Sequence, residues 1–203
     1  MKRIIWHWSA GAHKASDLDR KHYHFIIEGD GRVVEGTHKP EDNEDTRDGN
    51  YAAHTLNANT GAIGVAVAAM AGALERPFNA GKSPITTAQA ESLVALTSAL
   101  CRAYNIPVTR ATVLSHAEVQ PTLGIKQRGK WDIAWLPGMP SVGDPVAVGD
   151  RLRALVIGYH QPVARPPKNA ERPRNLAGPA AAVLALLAAL GASWDWITSF
   201  FGG

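Results

Sequence analysis

Cysteine is nearly missing from this chain: Cys101 stands alone among 203 residues. One thiol excludes a disulfide framework and any metal cage built from several cysteines. It falls in the helical pattern "TTAQAESLVALTSALCRAYNI", where a reduced, buried thiol is expected. A sustained excess of one charge is missing too. Residues 1–160 hold 17 Lys and Arg against 16 Asp and Glu, and the basic surplus sits in 161–178, in Arg165, Lys168, Arg172 and Arg174. A nucleic-acid footprint would spread across a folded face, so no nucleic-acid partner is expected. The opening "MKRIIWHWSAGAHK" is basic, but its apolar run is short and His7 interrupts it, so it does not read as a secretory signal. No internal repeat is visible.

What is present fits one folded domain with an appendage. Ile4 to Trp8 reads as a buried strand ended by Ser9-Ala10-Gly11. "KHYHFIIEGDGRVVEG" contains two β-rich runs across Glu28-Gly29-Asp30-Gly31, hence a hairpin. Ala62–Met70 reads as a strand of small residues. A helix is expected from about Thr87 to Tyr104, capped by Thr86 or Thr87, with Leu93, Leu96 and Leu100 on one face. "TVLSH" at Thr112–His116 is a short strand, and "VGDRLRALVIGYH" a last helix. Strands alternating with helices predict an α/β domain on one sheet, over residues 1–160. Residues 161–178 are Pro-rich and basic, a linker. Residues 179–203 form an apolar segment expected to be a C-terminal helix.

The chemistry begins with His7. Burying an unpaired polar group costs roughly 1–3 kcal/mol, so an imidazole among Ile4, Ile5, Trp6 and Trp8 needs a hydrogen-bonding neighbour or a metal ion. A catalytic zinc takes three protein ligands and keeps a position for water. Besides His7, the candidates are His116, at the end of "TVLSH", and Asp132, in "RGKWDIAWLPG". The three lie far apart in sequence, and spacing alone does not join them. Tyr23 alone reads as a half-buried strand tyrosine, with Phe25 and Ile27 on its face and His22, His24 and Ile26 on the other. Lys130 alone reads as a solvated loop cation. His13, His22, His38 and His160 read as surface residues. Glu118 suits either a partner orienting a ligand ring or a loop carboxylate. The acidic stretch "PEDNEDTRDGNY" reads as a loop lining a cleft.

Four blocks occur in register: "IIWHWSAG", "HYHFIIEGDGRVVEG", "HTLNANTGAIGVAVAAMAG" and "VLSHAEV" followed by "GKWDI". Together they resemble the type 2 N-acetylmuramoyl-L-alanine amidases, which include phage endolysins and peptidoglycan recognition proteins. The likeness covers about residues 3–160. It implies a single mixed central β-sheet flanked by helices, and an enzyme that holds one zinc ion. The site it implies is His7, His116 and Asp132 as metal ligands, Tyr23 and Lys130 as catalytic groups beside the metal, and His54 as a substrate contact. A centre of two imidazoles and one carboxylate lowers the pKa of bound water to about 7. The oxyanion formed at the amide carbonyl then needs a donor, which Lys130 or the Tyr23 hydroxyl could supply, and the departing amine needs a proton, from Tyr23 or through water.

The resemblance implies peptidoglycan as partner, hydrolysed between N-acetylmuramic acid and L-alanine during host-cell lysis by a phage or prophage; a monomer is expected. Ala180–Phe201 would span about 33 Å as a helix. With the basic residues before it, a spanning helix would hold the domain on the cytoplasmic side, made in the cytoplasm and associated with the inner membrane, although its substrate is the wall. Insertion that breaches the membrane and a helix docked on the domain are the alternatives; the absence of a polar face speaks against docking. The competing functions are a muropeptide-recycling amidase, a non-catalytic peptidoglycan-binding module and a membrane-disrupting protein with a vestigial domain.

Overall fold

A computed structural model describes residues 1–159. His160, the linker at 161–178 and the apolar segment at 179–203 lie outside the described residues, so the expectations placed on them are not addressed by the fold. Among the described residues no helix is long and apolar enough to cross a membrane.

The chain runs β1 (Arg3–Trp8), α1 (Asp17–His22), β2 (Phe25–Ile27), β3 (Val33–Glu35), a 3-10 turn (Pro40–Asn43), β4 (Ala62–Val67), α2 (Thr87–Ala103), β5 (Val113–Ser115), α3 (His116–Leu123) and α4 (Pro145–Tyr159). The five strands form one mixed sheet in the order β3-β2-β4-β1-β5. β1 lies between β4 and β5, parallel to both, while β2 and β3 form the antiparallel hairpin at the edge. The expected mixed sheet flanked by helices is therefore present.

Period two along β1 decides where its side chains go. Ile4, Trp6 and Trp8 join the large core shared with α2 and α4. Trp6 is fully buried there, and its indole N–H donates to Thr97 Oγ1 of α2 at 2.8 Å. Ile5 belongs to a smaller cluster with Ala58, Ala62, Leu114 and Val119. His7 shares the Ile5 side of the strand, so it leaves the main core behind it.

α2 begins where its capping residues direct. Thr86 Oγ1 accepts from the Gln89 N–H at 3.0 Å, and Gln89 Oε1 accepts from the Thr86 N–H at 3.1 Å. The Gln89 amide then donates to the carbonyls of Ile27 and Ala68, joining the helix to the ends of β2 and β4. Leu93, Leu96 and Leu100 are buried as their spacing predicts. Cys101 is buried and free, and burial pushes its thiol up to about 12, an inert thiol.

The structure corrects several local expectations. Tyr23 is not on a strand; it is the extended residue that ends α1, a six-residue helix the sequence reading omits. His116 does not close a strand either: β5 ends at Ser115 and His116 opens α3. The strand expected to run to Met70 stops at Val67. His13, His22 and His38 lie at the surface, partly covered, and the first two bond to the carbonyls of Pro84 and Ala53.

His24 is buried and fully partnered. Its Nδ1 accepts from the Gly64 N–H at 2.9 Å, and its Nε2–H donates to Asn43 Oδ1 at 3.0 Å. Asn43 Oδ1 also accepts from the Ala52 N–H, and its amide donates to the carbonyls of Ala52 and Asn59. A ring that accepts on one nitrogen cannot carry a second proton. Burial, partly offset by the Asn43 hydrogen bond, accordingly lowers the His24 pKa to about 4. The unfolded chain then binds more protons between about pH 6.5 and 4, so this contribution is whole above 6.5 and declines as pH falls toward 4. Urea unfolding should show stability falling over that window. His24→Leu should flatten part of the slope and cost about 1–3 kcal/mol at pH 7, by stranding the Gly64 N–H.

Candidate metal centre

Three elements deliver three donors. β1 carries His7 on the face away from α2. The Trp6↔Ser115 pairing of β1 with β5 puts the start of α3, and so His116, beside it. The loop after α3 returns to bring Asp132 under both rings, tied down by its own carbonyl, which accepts from the Ala117 N–H at 3.1 Å. His7 Nδ1 lies 3.2 Å from Asp132 Oδ2, and His116 Nδ1 lies 3.1 Å from the same oxygen. One ligand atom from each of the three residues falls within 4.8 Å of the other two, and all three residues are buried. Among the described residues this is the one group of His, Cys, Asp or Glu side chains that converges in this way.

The donor set suits zinc. Donors held about 2.0–2.1 Å from a tetrahedral ion sit about 3.4 Å from one another, close to the two separations seen. The far ring nitrogens are also accounted for. His116 Nε2 lies 2.8 Å from Gln127 Oε1, whose amide donates to the Leu56 carbonyl at 2.9 Å. His7 Nε2 lies 3.2 Å from His54 Nδ1 and 3.3 Å from Thr55 Oγ1. Gln127 Oε1 can only accept, so the His116 proton belongs on Nε2 and its Nδ1 lone pair faces Asp132. Such partners fix the ring and its tautomer before an ion arrives.

The electrostatics agree. Burial first, and the neighbouring His116 next, hold the His7 pKa down at about 4 against the pull of Asp132, so the ring is neutral at pH 7. Burial alone would raise the Asp132 carboxyl, yet the two imidazoles beside it, His116 first and His7 next, keep it well below the carboxylate range. A neutral His7 ring and an ionised Asp132 are the protonation states a metal requires of them.

The other expected site residues divide by depth. Tyr23 packs its ring 5.2 Å from that of His7, and burial together with the Asp132 charge raises its phenol above the ordinary range, so it stays a donor. Lys130 is exposed. It lines a cavity of about 370 Å³ that also contains Tyr51, His54, His116 and Gln127, and a second of about 700 Å³ with Arg76, Phe78, Trp131 and Asp144. His54 is only 7% exposed and lies edge-on to His7, 5.1 Å between ring centres. Gly64 makes room for it, because a Cβ there would come within 2.6 Å of the His54 ring. Of the acidic stretch, Tyr51 lines the smaller cavity while Asn43 is locked in the His24 network.

Glu118 is not a loop carboxylate, and its hydrogen bonds go to the backbone before His116 and to Arg153 instead of to a ligand ring. It is fully buried and caps the corner that carries His116: Oε2 accepts from the Ser115 N–H at 2.8 Å. Gln127 and Thr55 had no signal in the sequence, since one is a loop glutamine and the other stands beside a histidine of ambiguous role. The backbone just past Asp132 is unusual. Ile133 is fully buried at φ 53°, a region β-branched residues rarely adopt.

A mixed sheet holding a buried pair of imidazoles and a carboxylate beside a cleft defines an α/β domain with a donor group that could hold a metal ion. The particular lineage follows from comparison. The profile of the N-acetylmuramoyl-L-alanine amidase family Amidase_2 matches residues 1–137, and the chain belongs to that family. Among solved structures it is similar to the N-acetylmuramoyl-L-alanine amidase LysC from Clostridium intestinale URNW, at 19% identity and TM-score 0.44 over 75% of this chain and 83% of that one. It is also similar to the Ph2119 endolysin from Thermus scotoductus MAT2119 bacteriophage Ph2119, at 16% identity and TM-score 0.42 over 73% and 82%. No curated protein matches the chain.

Gln127 gives a direct check on the ring-orienting contacts. Gln127→Ala should weaken binding of one Zn²⁺ about 10–100-fold, measured by chelator competition, while changing the urea midpoint little.

Proposed function

We propose that this chain is a zinc-dependent peptidoglycan hydrolase that cleaves the amide between N-acetylmuramic acid and L-alanine, in a wall-lytic role of the endolysin kind. The observation that carries the reading is the convergence of His7 Nδ1 and His116 Nδ1 on one oxygen of Asp132, in a chain of the amidase family. His7, His116 and Asp132 would hold the ion. When bound, zinc supplies Lewis acidity and lowers the pKa of a water ligand to about 7.

The chain's own residues do the rest. Tyr23, protonated and half-buried beside His7, donates to the carbonyl oxygen as it gains charge, and buried preorganised donors are worth most there. Lys130, at the meeting of the two cavities, attracts the anionic groups of the muramyl peptide and adds positive potential near the oxyanion. His54 and Thr55 hold the His7 ring, and the exposed edge of His54 leaves it able to touch substrate. The departing L-alanine amine takes its proton from Tyr23 or through water.

With purified wall as substrate, the full chain should release new L-alanine amino termini, and a chelator or His7→Ala should abolish that release. Wall binding without new amino termini would instead identify a binding module. Lysis that survives His116→Ala would point to membrane disruption. Within the active enzyme, Tyr23→Phe should lower kcat about 10²–10³-fold, whereas Lys130→Met should act more on KM, as expected of an exposed charge.

A further inference from the structure

The family profile ends at residue 137, before α4 begins at Pro145. Yet α4 sends a guanidinium under the metal centre. Arg153 is 4% exposed. Its Nη1 donates to the Val113 carbonyl of β5 at 2.8 Å, and its Nη2 donates to Glu118 Oε1 of α3 at 2.7 Å and to Asp150 Oδ1 at 2.8 Å. The other Glu118 oxygen is the one that accepts from the Ser115 N–H, so a single carboxylate ties Arg153 to the residue before His116. The helix also presses its backbone onto that carboxylate, since a Cβ on Gly149 would come within 2.1 Å of Glu118 Oε2.

We propose that Arg153 is a positioning residue for the metal centre: through Glu118 it fixes the β5–α3 corner and thereby the direction in which His116 presents Nδ1. The inference rests on the reading of His7, His116 and Asp132 as zinc ligands. Both ends of the corner answer to one guanidinium, the Val113 carbonyl at the start of β5 and Glu118 in the first turn of α3. Packing alone would ask only for volume at 153. Five donors in a fixed fork, three of their contacts at 2.7–2.8 Å, specify direction as well. Glu118 is fully buried, so without Arg153 its carboxylate loses its cation and has reason to turn away from the Ser115 N–H.

The test uses the full chain and two readouts apart from hydrolysis: zinc affinity by chelator competition, and the visible absorption of the Co²⁺-loaded protein, which reports ligand geometry. Arg153→Met should raise the zinc Kd about 10–100-fold and alter the Co²⁺ spectrum, with Arg153→Lys intermediate because it keeps charge and loses the fork. Should Arg153→Met fail to fold, Gly149→Ala decides, since it pushes on Glu118 from the same helix; at least a tenfold weaker zinc Kd is expected. A folded Arg153→Met, or else Gly149→Ala, with zinc Kd within twofold of wild type and an unaltered Co²⁺ spectrum would overturn the proposal and leave Arg153 purely structural. Wild-type chain that binds no zinc would overturn the metal-site reading itself, which separates the two failures.

Discussion

The structure turns on one carboxylate oxygen. Asp132 Oδ2 receives two imidazoles, one from β1 and one from the start of α3 just past β5, and all three residues are buried. Each ring left alone would be a stranded polar group in an apolar wall. Together they form a set of donors whose protonation is already suited to a cation. The sheet order makes this possible: β1 is central, β5 is its neighbour, and the first residue after β5 lands next to His7.

Around these donors lies a layer of contacts to their far ring nitrogens. Gln127 accepts from His116 and is anchored on Leu56, while Thr55 and His54 back His7. Beneath them, Glu118 and Arg153 join α3 to α4. The core on the opposite face, centred on Trp6 and the leucines of α2, supplies the rigid floor that keeps β1 in place. Precision at the centre is thus distributed over several elements besides the three that carry the donors.

Much of this was legible in the sequence, for reasons that can be named. The β1 run, the hairpin and α2 are local patterns, where period, turn residues and an N-cap suffice. His7, His116 and Asp132 were legible as a set only because four blocks in order resemble a family; no spacing rule joins His7 to two residues more than a hundred positions away. Tyr23 and His116 were assigned to strands because β-branched and aromatic neighbours mask a helix end that capping decides. Gln127, Thr55 and Arg153 were not legible at all. Each acts through a contact closed by tertiary folding, and a loop glutamine or helix arginine looks like solvent-facing polarity until its partner is known.

The backbone after Asp132 carries a further consequence. Ile133 combines a left-handed φ with complete burial, so two demands meet at one position. Glycine would relieve the backbone, at roughly 1–3 kcal/mol of strain, but would open a hole in the core; leucine would fill the hole and keep the strain. Sequence drift there has little room in either direction. Backbone strain and core packing therefore pull in opposite directions at the residue that follows Asp132.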